Sequence, residues 1–139
     1  MTLKFSKTST QRLETCHHDI KHVMRLALYL TDVDFFIAEG LRSEEKQTEY
    51  FMTGASKVKY PNSYHNDESD DPESLAVDAV PWANGKAIWS YKTTDERAAW
   101  DGMVRAIKLA TEILNVPLDW GFDLWKWDRP HWQLTRYRG

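Results

Sequence analysis

Two of the five histidines, His65 and His131, fall in irregular stretches beside apolar segments, where loop side chains can converge on a cleft. Asp78 lies inside the apolar run LAVDAV. A carboxylate in such a strand must find a strong partner, because an unpaired buried charge is very costly. A metal ion is one such partner. Two imidazoles and one carboxylate form a ligand set that zinc uses at catalytic sites, with a fourth position left for a water that the metal makes easier to deprotonate. Such chemistry also needs a base, and Asp128 stands three residues before His131, across Arg129 and Pro130. With an ordinary pKa of about 3.9 a carboxyl there is ionised at neutral pH, as a base must be.

Helices and short strands must bring these groups together. Leu13, Cys16, Ile20, Val23, Ala27 and Leu30 recur at steps of three and four, which predicts one helix from Ser9 to Leu30. Phe35 to Ala38, stopped by Gly40, predicts a buried strand, and Ser43 ahead of Glu44 and Glu45 predicts a helix ending at Gly54. The pattern is lost from Ala55 to Ser74 and returns as a strand over Leu75 to Val80. Asn84-Gly85 offers a hairpin turn, and Thr93 with Glu96 makes a capping box for a helix whose stripe is Trp100, Val104, Ile107, Ala110 and Leu114. After Pro117, LDWGFDLWKWDRPHWQL predicts strand, loop and final strand around Gly121 and Pro130. This order predicts one α+β domain over 1–139, with a small, mostly antiparallel sheet packed against two long helices.

Taken in order, SYH at Ser63 to His65, AVD at Ala76 to Asp78 and DRPHWQL at Asp128 to Leu134 resemble the motifs of the zinc D-Ala-D-Ala carboxypeptidase family. The resemblance is greatest to its phage-endolysin branch of peptidoglycan L-alanyl-D-glutamate endopeptidases, and it extends to GLRSEEKQ, where Arg42 and Gln47 match a family Arg and Gln. Each motif arises often by chance, whereas three in order behind an upstream Arg make a joint signal. The resemblance implies zinc held by His65, Asp78 and His131, a catalytic base at Asp128, and Arg42 stabilising the substrate carbonyl or a carboxylate. Ser63 and Gln47 would support the site, and Trp127 and Trp132, which adjoin the base and a ligand, would bind substrate or support it. The implied fold is hedgehog or D-Ala-D-Ala peptidase-like, with the zinc site at the sheet edge. The implied activity is cleavage of the L-alanyl-D-glutamate bond of the peptidoglycan stem peptide, causing bacterial lysis. One departure is plain: twelve residues separate His65 from Asp78, more than is usual in the family. The extra length lies in NDESDDPESL, an acidic loop insertion near 66–75 that the ligands can tolerate because loop length costs little closure entropy.

A net charge of -3, without any basic run, argues against nucleic acid as a partner. Cys16 stands alone, so no internal disulfide can form, and its place on the apolar stripe makes it a buried, inert thiol. Neither a secretory leader nor a membrane span is visible. The expectation is a monomer made in the host cytoplasm without its own signal peptide, acting on the wall after the membrane is breached. His18 and His22 are four apart and could clamp a metal, but both face away from the stripe and read as surface residues. The carboxylates of Asp67, Glu68, Asp70, Asp71 and Glu73 read as a solvated loop, with Ca2+ binding as the alternative. Rival readings are a D-Ala-D-Ala carboxypeptidase, a non-catalytic zinc-containing wall-binding domain, and a structural ion pair between Asp78 and Arg42.

Overall fold

The computed structural model describes residues 3–135. The stripe from Leu13 to Leu30 does not run through one helix: α1 (Lys7–Glu14) and α2 (His18–Leu30) are separated by a three-residue break. At the break, the Thr15 hydroxyl donates to the Arg12 carbonyl at 2.6 Å, and His17 Nδ1 accepts from the Asp19 N–H at 3.1 Å to cap α2. Ser74 fixes the break from across the chain, its N–H bonding Thr15 O at 2.8 Å and its carbonyl accepting from His17 N at 2.9 Å. A long-range tether thus overrides a periodicity that reads as continuous, and the last residue of the stripe, Leu30, is exposed.

β1 (Phe35–Glu39) leads to α3 (Glu44–Thr53), whose first turn is capped by the Ser43 side chain and whose end is closed by Gly54 at φ 83°. β2 (Ala76–Ala83) turns through Asn84 and Gly85, both at positive φ, into the short β3 (Lys86–Ala87). α4 (Thr94–Leu114) opens with the expected capping box between Thr93 and Glu96. The chain then forms β4 (Leu118–Trp120), α5 (Gly121–Trp125) and β5 (His131–Leu134). α5 replaces part of the expected loop; at five residues it is too short to show a helical period in the sequence.

The strand order is β1-β2-β5-β4, every pairing is antiparallel, and β3 pairs with β2 off this path. The α+β class and the antiparallel sheet are as expected, but two long helices are too few: α2 and α4 are joined by three shorter ones among the described residues. One sheet face carries Val77, Ala79, Trp132 and Leu134 into a core with Ile20, Val23 and Met24 of α2 and Trp100, Met103 and Ile107 of α4. Side chains alternate across a strand, so Asp78, His131 and Gln133 occupy the other face. Among the described residues no helix is long and apolar enough to cross a membrane.

Candidate metal centre

Strand register makes the centre. Asp78 and His131 are directly opposed partners in the β2–β5 ladder, so their side chains project from the same face as neighbours. Asp78 and His131 therefore sit on the two inner strands and not at the sheet edge that the resemblance implied. Asp78 is also opposed to Glu39, just past an irregularity in β1 between Ile37 and Glu39. Two carboxylates thus meet at one level, and Arg42 separates their fates. Its guanidinium holds Glu39 through Nε at 2.7 Å and Nη2 at 3.2 Å, and it gives Nη1 to Gln47 Oε1 at 2.8 Å. Arg42 pairs with Glu39, therefore, and Asp78 is left for other partners.

His65 arrives from the loop before β2. The Ser63 hydroxyl accepts its backbone N–H at 3.2 Å, and its carbonyl accepts from Arg42 N at 2.7 Å. Its ring Nδ1 lies 2.8 Å from the Gly40 carbonyl. A carbonyl can only accept, so Nδ1 carries the proton and Nε2 presents a lone pair. His131 is held in the opposite sense, with Nε2 donating to Gln133 Oε1 at 2.8 Å and Nδ1 turned inward. The three inward atoms form a nearly equilateral triangle: His65 Nε2 to His131 Nδ1 is 3.2 Å, His65 Nε2 to Asp78 Oδ1 is 3.3 Å, and His131 Nδ1 to Asp78 Oδ1 is 3.4 Å.

Two lone pairs and a carboxylate oxygen at such distances repel unless a cation lies among them. Asp78 Oδ1 is buried and has no hydrogen bond of acceptable geometry, which leaves its demand for positive charge unmet by the protein. Burial opposes ionisation of Asp78, yet the facing imidazoles of His65 and His131, when they carry their second proton, outweigh it and hold the carboxyl well below the usual carboxylate range. The same contact works on His131: burial disfavours its charged form, Asp78 favours it, and the net shift is upward. A tetrahedral zinc with bonds of about 2.0–2.1 Å spaces its ligands about 3.3–3.4 Å apart. The triangle matches that spacing, and the residues present fit the ion.

Asp128 is half-buried beside this centre. Burial raises its pKa above the ordinary carboxyl value, and the nearby imidazoles of His131 and His65 pull in the other direction without cancelling the rise. Its segment is pinned by the Trp120 indole, which donates to the Arg129 carbonyl at 2.6 Å, and by the Ala79 N–H, which bonds Pro130 O at 2.9 Å. Gly121 permits the approach, since a side chain there would meet Asp128 O at 2.5 Å and His131 Cβ at 2.9 Å. Gln47 is wholly buried and spends its amide nitrogen on Ser56 Oγ at 2.9 Å and Val58 O at 2.6 Å, which makes it a support. Trp132 is in the core, stacked on Trp120 at 5.7 Å, whereas Trp127 is 58% exposed and lies 6.4 Å from Trp125.

Sequence reasoning missed Gly40, Glu39 and Gln133 as site residues; Trp125, one of six tryptophans that the sequence offers as groove or packing residues, has its ring 5.3 Å from that of His131. Only Gln133 left a signal, its spacing of two from His131 on one strand face. His18 and His22 are exposed as expected; His17, His18 and Asp19 form a second His/Asp group at the start of α2. In the acidic loop, Asp67 accepts from Ser69 N at 3.1 Å, Ser69 Oγ at 3.0 Å and Glu73 N at 2.9 Å. The loop carboxylates form no group of metal-ligand spacing among the described residues.

An antiparallel sheet backed by helices, with a zinc-sized His–Asp–His triangle and a half-buried carboxylate on its open face, defines an α+β metal-dependent hydrolase. Residues 1–134 match the family described as phage L-alanyl-D-glutamate peptidase, and the chain belongs to that family. It is 31% identical over 123 residues to the L-alanyl-D-glutamate peptidase of Escherichia phage T5, a match covering 88% of this chain and 82% of that one. The crystal structure of the Serratia marcescens L-Ala D-Glu endopeptidase ChiX superposes with a TM-score of 0.74 at 30% identity, covering 96% of this chain and 91% of that one.

Proposed function

We propose that this chain is a zinc endopeptidase that hydrolyses the L-alanyl-D-glutamate bond of bacterial peptidoglycan, with the metal held by His65 Nε2, His131 Nδ1 and Asp78 Oδ1. The observation that carries the reading is the triangle of 3.2, 3.3 and 3.4 Å, in which outward hydrogen bonds turn both lone pairs inward. Zinc bound there supplies Lewis acidity, which eases deprotonation of a water and polarises the scissile carbonyl. The chain's own groups do the rest. Asp128 accepts the proton of the attacking water and delivers it to the departing amine, so that the C–N bond breaks to leave an L-alanyl carboxylate and a D-glutamyl amine. Its raised pKa brings it nearer to the range in which one group can both take and return a proton.

Arg42 keeps Glu39 neutralised beside the centre, and the guanidinium N–H groups not spent on Glu39 and Gln47 remain to donate to a substrate carbonyl or carboxylate. Ser63 and Gln47 fix the loops that carry His65 and Arg42, and Trp127 offers an exposed ring to substrate. The chain acts as one catalytic unit, with 66–75 an insertion between His65 and Asp78 anchored at its ends by the buried Asn66 and Ser74. The triangle uses groups of one chain, which suits a monomer that accumulates in the host cytoplasm and meets the wall once the membrane opens.

The test is digestion of purified peptidoglycan by the zinc-loaded and the chelated protein, with the fragments read by mass spectrometry. New N-terminal D-glutamate, produced only with metal, is expected. Released D-alanine would replace this reading with a carboxypeptidase, and unaltered wall would reduce the centre to a structural or binding role.

A further inference from the structure

Between α1 and the turn from β1 into α3 lies a cleft of about 470 Å3. Arg12, Arg42 and Lys46 line it against a single carboxylate, Glu39. Glu39 is committed to Arg42, and among the described residues neither Arg12 nor Lys46 belongs to an ion pair. Lys46 Nζ sits 5.6 Å from the centroid of the Tyr50 ring, which also carries Arg42 at 4.8 Å, and Arg12 spends one guanidinium nitrogen on Ile37 O at 3.1 Å. The cleft therefore holds two uncompensated positive charges in a protein whose net charge is -3. Its volume lies within the range of about 300–1,000 Å3 typical of ligand sites.

The wall of this cleft is also the wall of the metal centre. Gly40 and Arg42 line the cleft, while the Gly40 carbonyl holds His65 Nδ1 and the Arg42 N–H holds the His65 carbonyl. On the other flank the centre is bordered by aromatic rings, with Trp125 beside His131 and the exposed Trp127 beyond it. A substrate lying across the triangle in line with this cleft would have one end toward cations and the other toward indoles. The two sides of the scissile bond differ in the same sense: the released D-glutamate carries carboxylate, and the L-alanyl side carries a methyl group and leads to the glycan.

Resting on the activity proposed above, we propose that the cleft between α1 and α3 is the leaving-side subsite, where Arg12 and Lys46 bind the carboxylates of the D-glutamyl portion. Substrate polarity follows, with the L-alanyl side against Trp125 and Trp127. Electrostatic complementarity, and not shape alone, then selects the orientation that presents the correct bond.

Two model peptides test the subsite, one with the D-glutamyl α-carboxylate free and one with it amidated. In Lys46→Met the preference for the free carboxylate, expressed as the ratio of the two kcat/KM values, is expected to fall about two- to fivefold through KM. Arg12→Gln should act in the same direction. Lys86→Met, on the β2–β3 hairpin, should leave the ratio unchanged. Calorimetric binding of the released D-glutamyl peptide to the zinc-loaded protein gives a readout independent of turnover, and its affinity should fall in Lys46→Met by a similar factor. An unchanged ratio with unchanged product affinity overturns the subsite. Failure of the wild-type protein to cut either peptide instead overturns the activity, and product binding still decides the subsite.

Discussion

At the scale of single residues, the division of labour around the triangle separates holding the metal from moving the proton. Asp128 touches none of the inward atoms by hydrogen bond, so Asp128→Ala is expected to retain zinc at one equivalent while turnover falls by about 10²–10⁴-fold. His131→Ala should lose both zinc and turnover, and elemental analysis alongside rate measurements separates the two. Near-normal turnover in Asp128→Ala would remove that residue from the reaction. The pH dependence carries a sign: the base works only when ionised, and burial raises its pKa in the free protein, so the acid limb of kcat/KM should lie above the pH of an ordinary carboxyl. Gln133 belongs to the holding side. Its Oε1 fixes the proton on His131 Nε2, so Gln133→Leu should weaken zinc binding roughly 10–100-fold, and Gln133→Glu should restore it. A zinc titration against a competing chelator reads both; equal affinities in all three proteins would show that His131 keeps its tautomer without this acceptor.

At the scale of elements, close approach matters more than propensity. Gly40 sits where a Cβ would collide with the Arg12 carbonyl and the Thr15 hydroxyl and come within 3.0 Å of Cys16 Sγ. Gly40→Ala must therefore push β1 away from α1, at a cost of about 1–3 kcal/mol in denaturant unfolding, and should loosen zinc by displacing the carbonyl that orients His65. The capping box of α4 has its own pH signature. Hydrogen bonds from the Ser90 hydroxyl and from the Thr93 and Lys92 N–H groups hold Glu96 at about 2, against an ordinary 4.5. A depressed carboxyl contributes its stability above the unfolded pKa, so that contribution should vanish as pH falls from about 4.5 to about 2. Glu96→Gln should flatten the melting temperature across that window; an unchanged slope would assign it to other carboxylates. The contrast shows what the sequence makes legible. Ser43, Gly54, Asn84-Gly85 and the Thr93–Glu96 pair act through neighbours in the chain, and each was found where local chemistry put it. The α1–α2 break depends on Ser74, α5 is shorter than the period that would reveal it, and the choice between Glu39 and Asp78 depends on strand register. Such pairings across the chain leave no periodic trace, although Asp78 stood out as a carboxylate inside an apolar run, and His65, His131 and Asp128 through their place in irregular segments and in motifs that resemble a known family's.

At the scale of the whole molecule, the metal centre and the core are joined through β2, whose Asp78 faces the triangle while Val77 and Ala79 pack inward. A ligand that binds only the folded state should then stabilise the whole, and Cys16 provides the reporter. Its thiol is 1% exposed between α1 and β2, and burial pushes its pKa up to about 12. A thiol reacts as the thiolate, so at pH 8 the native group is both protonated and covered, and alkylation must proceed through opening of the chain. Where opening is fast and reversible, the alkylation rate follows the population of the open form. Zinc at one hundred times its Kd lowers that population by about 100-fold, or roughly 2.7 kcal/mol. Iodoacetamide labelling of Cys16 should therefore slow by about two orders of magnitude on loading with zinc. In His131→Ala the labelling rate should be insensitive to zinc, which distinguishes site binding from a general salt effect. Rapid labelling of the native metal-free protein would show that the α1–β2 seam opens on its own, and zinc-independent labelling of the wild type would show that the triangle does not bind the ion in the folded state.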